Sequence, residues 1–177
     1  MPRVRYEVAM SLDGYIADPN GGYDWIAQDP DIDFAEMFAQ FDMFWMGRRT
    51  FEMMVQAGRA DIPGKKLIIF SRTLQQRDYP KVKIMADVEP KSLAGLRDQA
   101  TKDVWLFGGG SLFRSLLEIG LVDTVEVAIV PILLGEGLPF LPTTSHRQKL
   151  KLTSQKIYKK TGLVSLHYDV EKNASTQ

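Results

Sequence analysis

Two kinds of hydrophobic pattern alternate along most of the chain, and each predicts a different element of structure. Short apolar runs that end at glycine or polar residues are typical of buried strands, and they occupy residues 3–12, 42–47, 65–72, 82–87 and 103–110. Apolar residues at helical spacing predict helices at residues 29–41, 48–58, 89–100 and 111–120. The first of these helices depends on the spacing of Ile32, Met37, Phe38 and Phe41.

The remainder of the chain predicts one long strand followed by an antiparallel hairpin. Residues 122–135 form a long β-branched run with Pro131 inside, and because proline cannot donate to a strand ladder, it predicts a sheet edge or a bend there. Residues 150–171 alternate around a polar turn, which is typical of a hairpin. The whole pattern favours an α/β fold with a mainly parallel central sheet and antiparallel additions at one edge. No linker interrupts it, so we expect one domain over residues 1–171 and a flexible tail over 172–177.

Composition narrows the class of protein. The 177 residues include 22 basic and 22 acidic side chains, and this zero net charge argues against a nucleic-acid partner or a polybasic membrane patch. The absence of cysteine excludes disulfides, thiolate zinc sites and cysteine nucleophiles. The amino-terminal residues lack the apolar core of a signal peptide, and no apolar run is long enough to span a bilayer. We therefore expect a cytoplasmic protein.

Anion-binding chemistry follows three of the predicted strands. Each of these strands ends in some combination of glycines, hydroxyl groups and guanidinium groups. Two of the three strand ends lead directly into a predicted helix. The residues are Gly47, Arg48, Arg49 and Thr50 after one strand, Ser71 and Arg72 after the next, and Gly108, Gly109, Gly110 and Ser111 after the third. We expect Ser111 to be the N-cap of its helix. Free backbone N–H groups at a helix start, together with arginine, can bind phosphate.

Each strand end alone also fits an ordinary turn or a solvated surface. The triple glycine lacks the G-x-G-x-x-G spacing of a dinucleotide fingerprint, so it could be a tight turn. Ligands of open α/β sheets bind beyond the carboxyl ends of the strands, and three such ends carry phosphate-binding chemistry here. Together they favour a phosphorylated dinucleotide.

Three segments carry a resemblance to a known family. They are AMSLDGYIADPNGGYDWI at residues 9–26, MGRRTFEMM at 46–54 and LFGGGSLFRSLLEIGLVDTVEVAIVPILLGEG at 106–137. With this order and spacing, the chain resembles the dihydrofolate reductase-like fold, and within it the reductase domain of riboflavin-biosynthesis enzymes, the RibD C-terminal type. The resemblance covers nearly the whole chain and implies a three-layer sandwich, NADPH as cofactor and hydride transfer as the chemistry.

The resemblance also implies which residues contact the cofactor. It places Ala9 and Ile16 beside the nicotinamide ring, with residues 11–25 forming a loop over that half of the cofactor. The pyrophosphate contacts it implies are Thr50, Gly109, Gly110, Ser111 and Leu112. On the adenosine side it implies Arg48 or Arg49 at the 2′-phosphate, and Ser71 and Arg72.

Two positions depart from the pattern of these relatives. Folate reductases place a carboxylate of the first helix against the pterin, and the equivalent position here is Pro30, flanked by Asp29, Asp31 and Asp33. Riboflavin reductases place an acidic residue before the glycine pair, and that position here is Gly108.

We expect an NADPH-dependent reductase that transfers hydride to a C=N or carbonyl carbon of a small heterocyclic substrate resembling a pterin or a ribosylaminopyrimidine. The alternative is a catalytically silent NADP(H)-binding or regulatory module, which the two departures favour.

Several single residues have two interpretations. Asp13 could contact the nicotinamide or the substrate, or it could order a turn beside Gly14. Trp25 could form a wall for the substrate, or it could pin its loop to the core. Asp31 could supply the proton that accompanies hydride, or, like Asp29 and Asp33, it could favour the positive end of a helix.

Three other features stay open or argue against a site. Glu136 could face the substrate or solvent, and residues 127–135 could form a homodimer contact or a core strand. We expect no metal site, because His146 and His167 lie in unrelated contexts.

Overall fold

An eight-stranded sheet forms the centre of the protein, whose structure is a computed structural model that describes residues 1–144 and 147–172. Within these residues the strands are β1 (Val4–Ser11), β2 (Tyr15–Ala17), β3 (Phe41–Gly47), β4 (Lys66–Phe70), β5 (Lys83–Met85), β6 (Asp103–Gly108), β7 (Thr124–Val130), β8 (Leu138–Pro139), β9 (Leu150–Tyr158) and β10 (Leu163–Val170). The helices are α1 (Phe34–Ala39), α2 (Arg48–Gln56), α3 (Pro90–Arg97) and α4 (Gly110–Glu118), with a short 3₁₀ turn at Gln76–Asp78.

The sheet is parallel except at one edge, which confirms the fold class predicted from the sequence. Its strand order is β5-β4-β3-β6-β1-β7-β10-β9. The strands from β5 to β7 pair in parallel, whereas β10 pairs antiparallel with both β7 and β9. Outside this sheet, β2 pairs with β8 and so joins the loop after β1 to the loop after β7.

Helices cover both faces of the sheet, so the molecule is the expected three-layer sandwich. On one face α3 and α4 bury Leu93, Leu112 and Leu116 against the sheet. On the other face α1 and α2 pack over an aromatic cluster that includes Phe41, Phe44 and Trp105. Burial of such large side chains is the main stabilising contribution to the fold.

Most predicted ranges shift by one to three residues at their ends, and three predictions differ for a local reason. The first helix begins at Phe34 because Asp33 caps it and accepts a hydrogen bond from Glu36 N–H, and Phe41 belongs to β3. Ser111 is not an N-cap, because Gly109 takes that position and α4 already begins at Gly110. Pro131 follows the end of β7, which is paired on both sides, so it marks a bend and not a sheet edge.

The two short strands β2 and β8 were not predicted, because two or three residues are too few to show a hydrophobic period. Of the predicted tail 172–177, only Lys172 lies within the described residues. No helix in the described part of the chain is long and apolar enough to cross a membrane.

Candidate active site

A cleft of about 1540 Å³ lies on the face of the sheet that carries α1 and α2, and it extends to the carboxyl ends of β3 and β6. Two halves of it can be distinguished by their lining. We name the halves after the expectations from the sequence: the cofactor half is lined by the starts of α2 and α4, and the substrate half by β1, β7, β10 and the loop before α1.

Two of the three predicted strand ends meet in the cofactor half. Strands β3 and β6 are neighbours, with Met46 in register with Gly108. A Cβ atom added to Gly47 would lie 3.9 Å from the carbonyl oxygen of Gly108, and one added to Gly108 would lie 3.2 Å from Thr50 Oγ1. The starts of α2 and α4 are therefore side by side, as an anion bound between them requires.

Both of these helices begin without a side-chain cap. The N-caps of α2 and α4 are Gly47 and Gly109, which have no side chain to accept a hydrogen bond from the first turn. In contrast, Asp33 caps α1 and Glu89 caps α3. Because the first N–H groups of a helix have no partner within the helix, the two uncapped starts present donors and positive dipole ends to the cleft.

The first and third of the three consecutive glycines are required for different structural reasons. Gly108 has a φ of 146°, which L-residues with a side chain rarely adopt, and its peptide bond to Gly109 is cis. Gly110 is buried, and a Cβ there would lie 2.5 Å from the carbonyl oxygen of Pro139. Gly110 is therefore required for packing against β8 and the loop after it, and it also lines the cleft, where the sequence suggested that it admits a ligand.

The arginines at the start of α2 differ in their availability. Arg48 forms an ion pair with Glu52 at 2.9 Å, one turn along the helix. Arg49 is exposed, lines the cleft and has no ion pair within the described residues. Arg59 also lines the cleft and was not predicted, since it follows the helix end at a position with no motif. Arg49 is thus the more available of the two predicted cations.

The third predicted strand end does not reach the cleft. Strand β4 lies beside β3, but neither Ser71 nor Arg72 is among the lining residues. The Ser71 hydroxyl accepts hydrogen bonds from the N–H groups of Thr73 and Leu74, which orders its own turn. The exposed Arg72 side chain lies 3.3 Å from Asp87. In this structure these two residues contribute a turn and a surface ion pair.

Ala9, Ile16 and Leu112 line the cleft as the resemblance implies, whereas Asp13 and Trp25 do not. Asp13 accepts hydrogen bonds from the Ser11 hydroxyl at 2.6 Å and from Gly135 N–H at 2.7 Å. These bonds, the Ser11 one foremost, lower the pKa of Asp13 to about 2. The geometry corresponds to the turn-ordering alternative, because Asp13 ties the loop after β1 to the loop after β7.

Trp25 is half-buried, and its indole N–H donates to the carbonyl of Gly22 at 3.3 Å. Its neighbours Tyr23 and Ile26 line the cleft in its place. The geometry again corresponds to the alternative in which the tryptophan orders its own loop.

Hydrogen bonds and an ion pair connect the loop before α1, which lines the substrate half, to the turn between β9 and β10. Asp31 lies in the cleft lining and forms an ion pair with Lys160 at 2.8 Å. Asp29 accepts a hydrogen bond from the Thr161 hydroxyl at 2.8 Å. Burial alone would raise the pKa of Asp29, but hydrogen bonds from Asp31 N–H and Thr161, and the charge of Lys160, lower it. Asp31 does not lie in the first turn of α1.

The floor of the substrate half is a row of charged residues that sequence reasoning missed. Arg5 donates to both carboxylate oxygens of Glu126 at 2.7 Å, and its Nη1 donates to Gln40. Glu7 lies directly opposite Glu126 in the register of β1 and β7, and Glu126 lies opposite His167. The signal for this row was the pair of charges at alternate positions of an apolar strand, since Arg5 and Glu7 must face the same side.

The two carboxyl groups of this row differ in their environment. Burial alone would raise the pKa of Glu126, but the hydrogen bonds and charge of Arg5 hold it below its ordinary value. Burial and the negative charge of Glu126 instead raise the pKa of Glu7 to about 7, although Arg5 opposes the shift. Glu7 Oε2 is buried without a hydrogen-bond partner among the described residues.

The remaining predicted positions lie outside the cleft or have other partners. The His167 ring lies 3.3 Å from Glu126 through Nδ1 and 3.1 Å from the Ser165 hydroxyl through Nε2. Glu136 is exposed and does not line the cleft. His146 lies outside the described residues. Across the described ranges, no group of three or more histidine, cysteine or acidic side chains is arranged to hold a metal ion.

The chain matches known proteins along nearly all of its length. The sequence profile of the RibD C-terminal domain family matches residues 2–163. The uncharacterized protein YyaP of Bacillus subtilis strain 168 is 30% identical over 178 residues, which cover 94% of this chain and 94% of YyaP.

Solved structures share the fold. A protein of Shewanella sp. PV-4, provisionally named as a riboflavin biosynthesis protein, is 25% identical with a TM-score of 0.80, over 97% of this chain and 100% of that one. The diaminohydroxyphosphoribosylaminopyrimidine deaminase/5-amino-6-(5-phosphoribosylamino)uracil reductase of Thermotoga maritima is 20% identical with a TM-score of 0.70, over 96% of this chain and 57% of that one. Dihydrofolate reductase of Enterococcus faecalis, complexed with NADP(H), is 16% identical with a TM-score of 0.68, over 96% and 97%. The fold is therefore dihydrofolate reductase-like.

Proposed function

The chain belongs to the RibD C-terminal domain family, and from this premise we propose that it is an NADPH-dependent reductase of a small heterocyclic substrate. One observation carries the proposal above all. Two helices with glycine N-caps start side by side at the carboxyl ends of adjacent strands, in a cleft whose lining includes an arginine with no ion pair in the described part of the chain. This is the arrangement that a pyrophosphate with a nearby phosphate would need.

The residues present fit such a cofactor. The uncapped N–H groups of α2 and α4 and the Thr50 hydroxyl can hold the pyrophosphate, and no side chain at Gly108 or Gly109 obstructs its approach. Arg49 can pair with the 2′-phosphate, because its guanidinium has no carboxylate partner within the described residues. Ala9 and Ile16 would leave a small, apolar surface for the nicotinamide.

The cofactor supplies hydride, and the chain supplies position and environment. Ala9 of β1 lies opposite Ala128 of β7, so the cleft floor there has short side chains, against which a nicotinamide ring would be held. Asp13 holds the neighbouring loops together through Ser11 and Gly135, which keeps the walls of the cleft in place. Ile16 and Ile26 add apolar surface that excludes water from the transfer.

The substrate proposed is a ring with a C=N or carbonyl carbon, resembling a pterin or a ribosylaminopyrimidine. The test is the oxidation of NADPH by the purified protein, followed by absorbance, with a panel of pterins, aminopyrimidines and small carbonyl compounds. We expect steady oxidation with at least one heterocycle and none without it. Cofactor binding with no turnover on any compound would contradict the enzyme and support a silent NADP(H)-binding module.

A further inference from the structure

Glu7 lines the substrate half, and its side chain has a long ion pair with Arg5 but no hydrogen bond among the described residues. Its side chain is 19% exposed, and its Oε2 atom is buried without a hydrogen bond among the described residues, 3.6 Å from Arg5 Nη2. Buried acceptors in folded proteins are nearly always hydrogen-bonded, so an orphaned one beside a cleft marks a position that a ligand or a bound water would satisfy. Glu7 also lies two residues from Ala9 on the same face of β1, one step from the proposed nicotinamide position.

Arg5 lies at ion-pair distance from Glu7, with Nη2 3.6 Å from Oε2, but the hydrogen bonds of its guanidinium go to other groups. Two of its N–H groups bond both oxygens of Glu126 at 2.7 Å, and Nη1 bonds Gln40 at 2.7 Å. Nη1 is also 3.4 Å from Asp103. The guanidinium therefore serves as the counter-charge of Glu126 and leaves Glu7 as the available acid in this row.

Acidic side chains outnumber basic ones in the lining of the substrate half. The basic residues are Arg5, which pairs with Glu126, Lys156, whose ammonium lies 4.4 Å from the ring centre of Tyr158 and keeps its charge, and His167, whose ring lies beside Glu126. The acidic residues that line this half are Glu7, Asp31, Asp33, Glu36 and Glu126. A phosphate bound here would meet mainly negative charge, whereas a protonatable nitrogen base would be attracted.

We propose that the substrate half binds a non-phosphorylated nitrogen heterocycle whose ring nitrogen and adjacent amino group bond the carboxyl group of Glu7. This inference rests on the proposed function and narrows its substrate class: it retains pterins and aminopyrimidines and excludes phosphoribosylated ones. The two oxygens of a carboxyl group match the two nitrogens of an amidine edge, so one ligand would satisfy the orphaned oxygen.

Protonation supports the same pairing. Burial and Glu126 raise the pKa of Glu7 to about 7, so near neutral pH the carboxyl can hold a proton and pass it to a basic ring nitrogen. The groups that act on Glu7 are Arg5 on its own strand and Glu126 on β7. Asp103 on β6 acts through Arg5, and His167 on β10 acts through Glu126. Above pH 7 the Glu7 carboxyl is ionised, so a neutral ligand would have to take a proton from solvent to form the same ion pair. The affinity of the protein for the ligand should therefore fall as pH rises.

The test is calorimetric titration of the full chain, with and without saturating NADPH, using 2,4-diaminopyrimidine as probe. Wild type is expected to bind the probe near neutral pH, and Glu7→Gln to bind it at least about tenfold more weakly, because a charge-assisted pair is lost. Glu136→Gln is the matched control, since this exposed carboxylate does not line the cleft, and it should bind like wild type. Ribose 5-phosphate, which carries the phosphate without the base, should not bind in the substrate half of the NADPH-loaded protein.

Each other outcome has a definite meaning. Equal affinity of wild type and Glu7→Gln for the probe, no binding of the probe to wild type, or binding of ribose 5-phosphate to the NADPH-loaded protein would overturn the assignment. An unchanged NADPH affinity in Glu7→Gln shows that the variant is folded. Failure of NADPH to bind wild type would instead contradict the proposed function, and the titrations without cofactor would still test Glu7.

Discussion

Substitution of Gly110 by alanine tests the packing that shapes the cofactor half. Gly110 is the first residue of α4, and the space for its Cβ is already occupied. The added atom would lie 2.5 Å from the carbonyl oxygen of Pro139, 3.0 Å from that of Phe140 and 3.0 Å from Pro142 Cδ. Two of these neighbours are backbone atoms, which cannot turn away as a flexible side chain would.

The expected magnitude follows from two opposing effects. Forcing an extra carbon into a packed interior costs about 1–3 kcal/mol. Replacing glycine by alanine in a helix returns about 0.5–1 kcal/mol, because the unfolded chain loses freedom. Since the closest contact is with backbone, we take the upper part of the first range and expect a net loss of about 2 kcal/mol. For a chain of this length that loss lowers Tm by roughly 4–8 °C.

Thermal unfolding followed by circular dichroism measures this change, and Gly95→Ala is the matched control. Gly95 lies inside α3 and has no atom within 4 Å of the added Cβ, so its substitution should raise Tm slightly. A Gly110→Ala protein as stable as wild type, with Gly95→Ala behaving as expected, would refute the close contact between α4 and the loop after β8.

Three further substitutions test charge in the two halves of the cleft. Arg49→Ala should weaken the binding of NADPH by about tenfold or more and leave the binding of NADH nearly unchanged, because the lost partner is the 2′-phosphate. Arg48→Ala should have the smaller effect, because the Arg48 guanidinium pairs with Glu52. Equal losses of affinity for NADPH and NADH in Arg49→Ala would remove the assignment. Glu7→Gln should match the stability of wild type near pH 4 and exceed it above about pH 8, by up to about 3 kcal/mol, in denaturant unfolding. The pKa of Glu7 is raised to about 7 in the folded protein, so folded Glu7 keeps a proton that the unfolded chain releases at lower pH. The free energy of unfolding of wild type therefore falls as pH rises through this range, whereas that of Glu7→Gln does not. Parallel pH profiles of stability for the two proteins would contradict the raised pKa.

The glycine-led ends of β3 and β6 were predictable because two local signals coincide there. A buried apolar run stops at glycine, and a helical period begins at once, which places a helix start at a strand end. The neighbouring end of β4 carries equally suggestive residues, but the side-chain hydroxyl of Ser71 bonds its own turn. The direction of a side chain after a strand depends on that turn, and residue type alone does not report it.

The charged row of the substrate half could be predicted only in part. Alternation within β1 places Arg5 and Glu7 on one face, but Glu126 and His167 join them through the pairing of β7 with β1 and β10. That register is a tertiary property, set by how the strands assemble. The ion pair of Asp31 could not be predicted for the same reason, because its partner Lys160 lies on the turn of a hairpin that is distant in the sequence.

The most direct test of the proposed function is a titration of the purified protein with NADPH and with NADH, followed by nicotinamide fluorescence. We predict saturable binding of NADPH well below millimolar concentration, tighter than that of NADH, because the cofactor half offers two uncapped helix starts and Arg49, which has no ion pair among the described residues. Failure of both nucleotides to bind below millimolar concentration would contradict it.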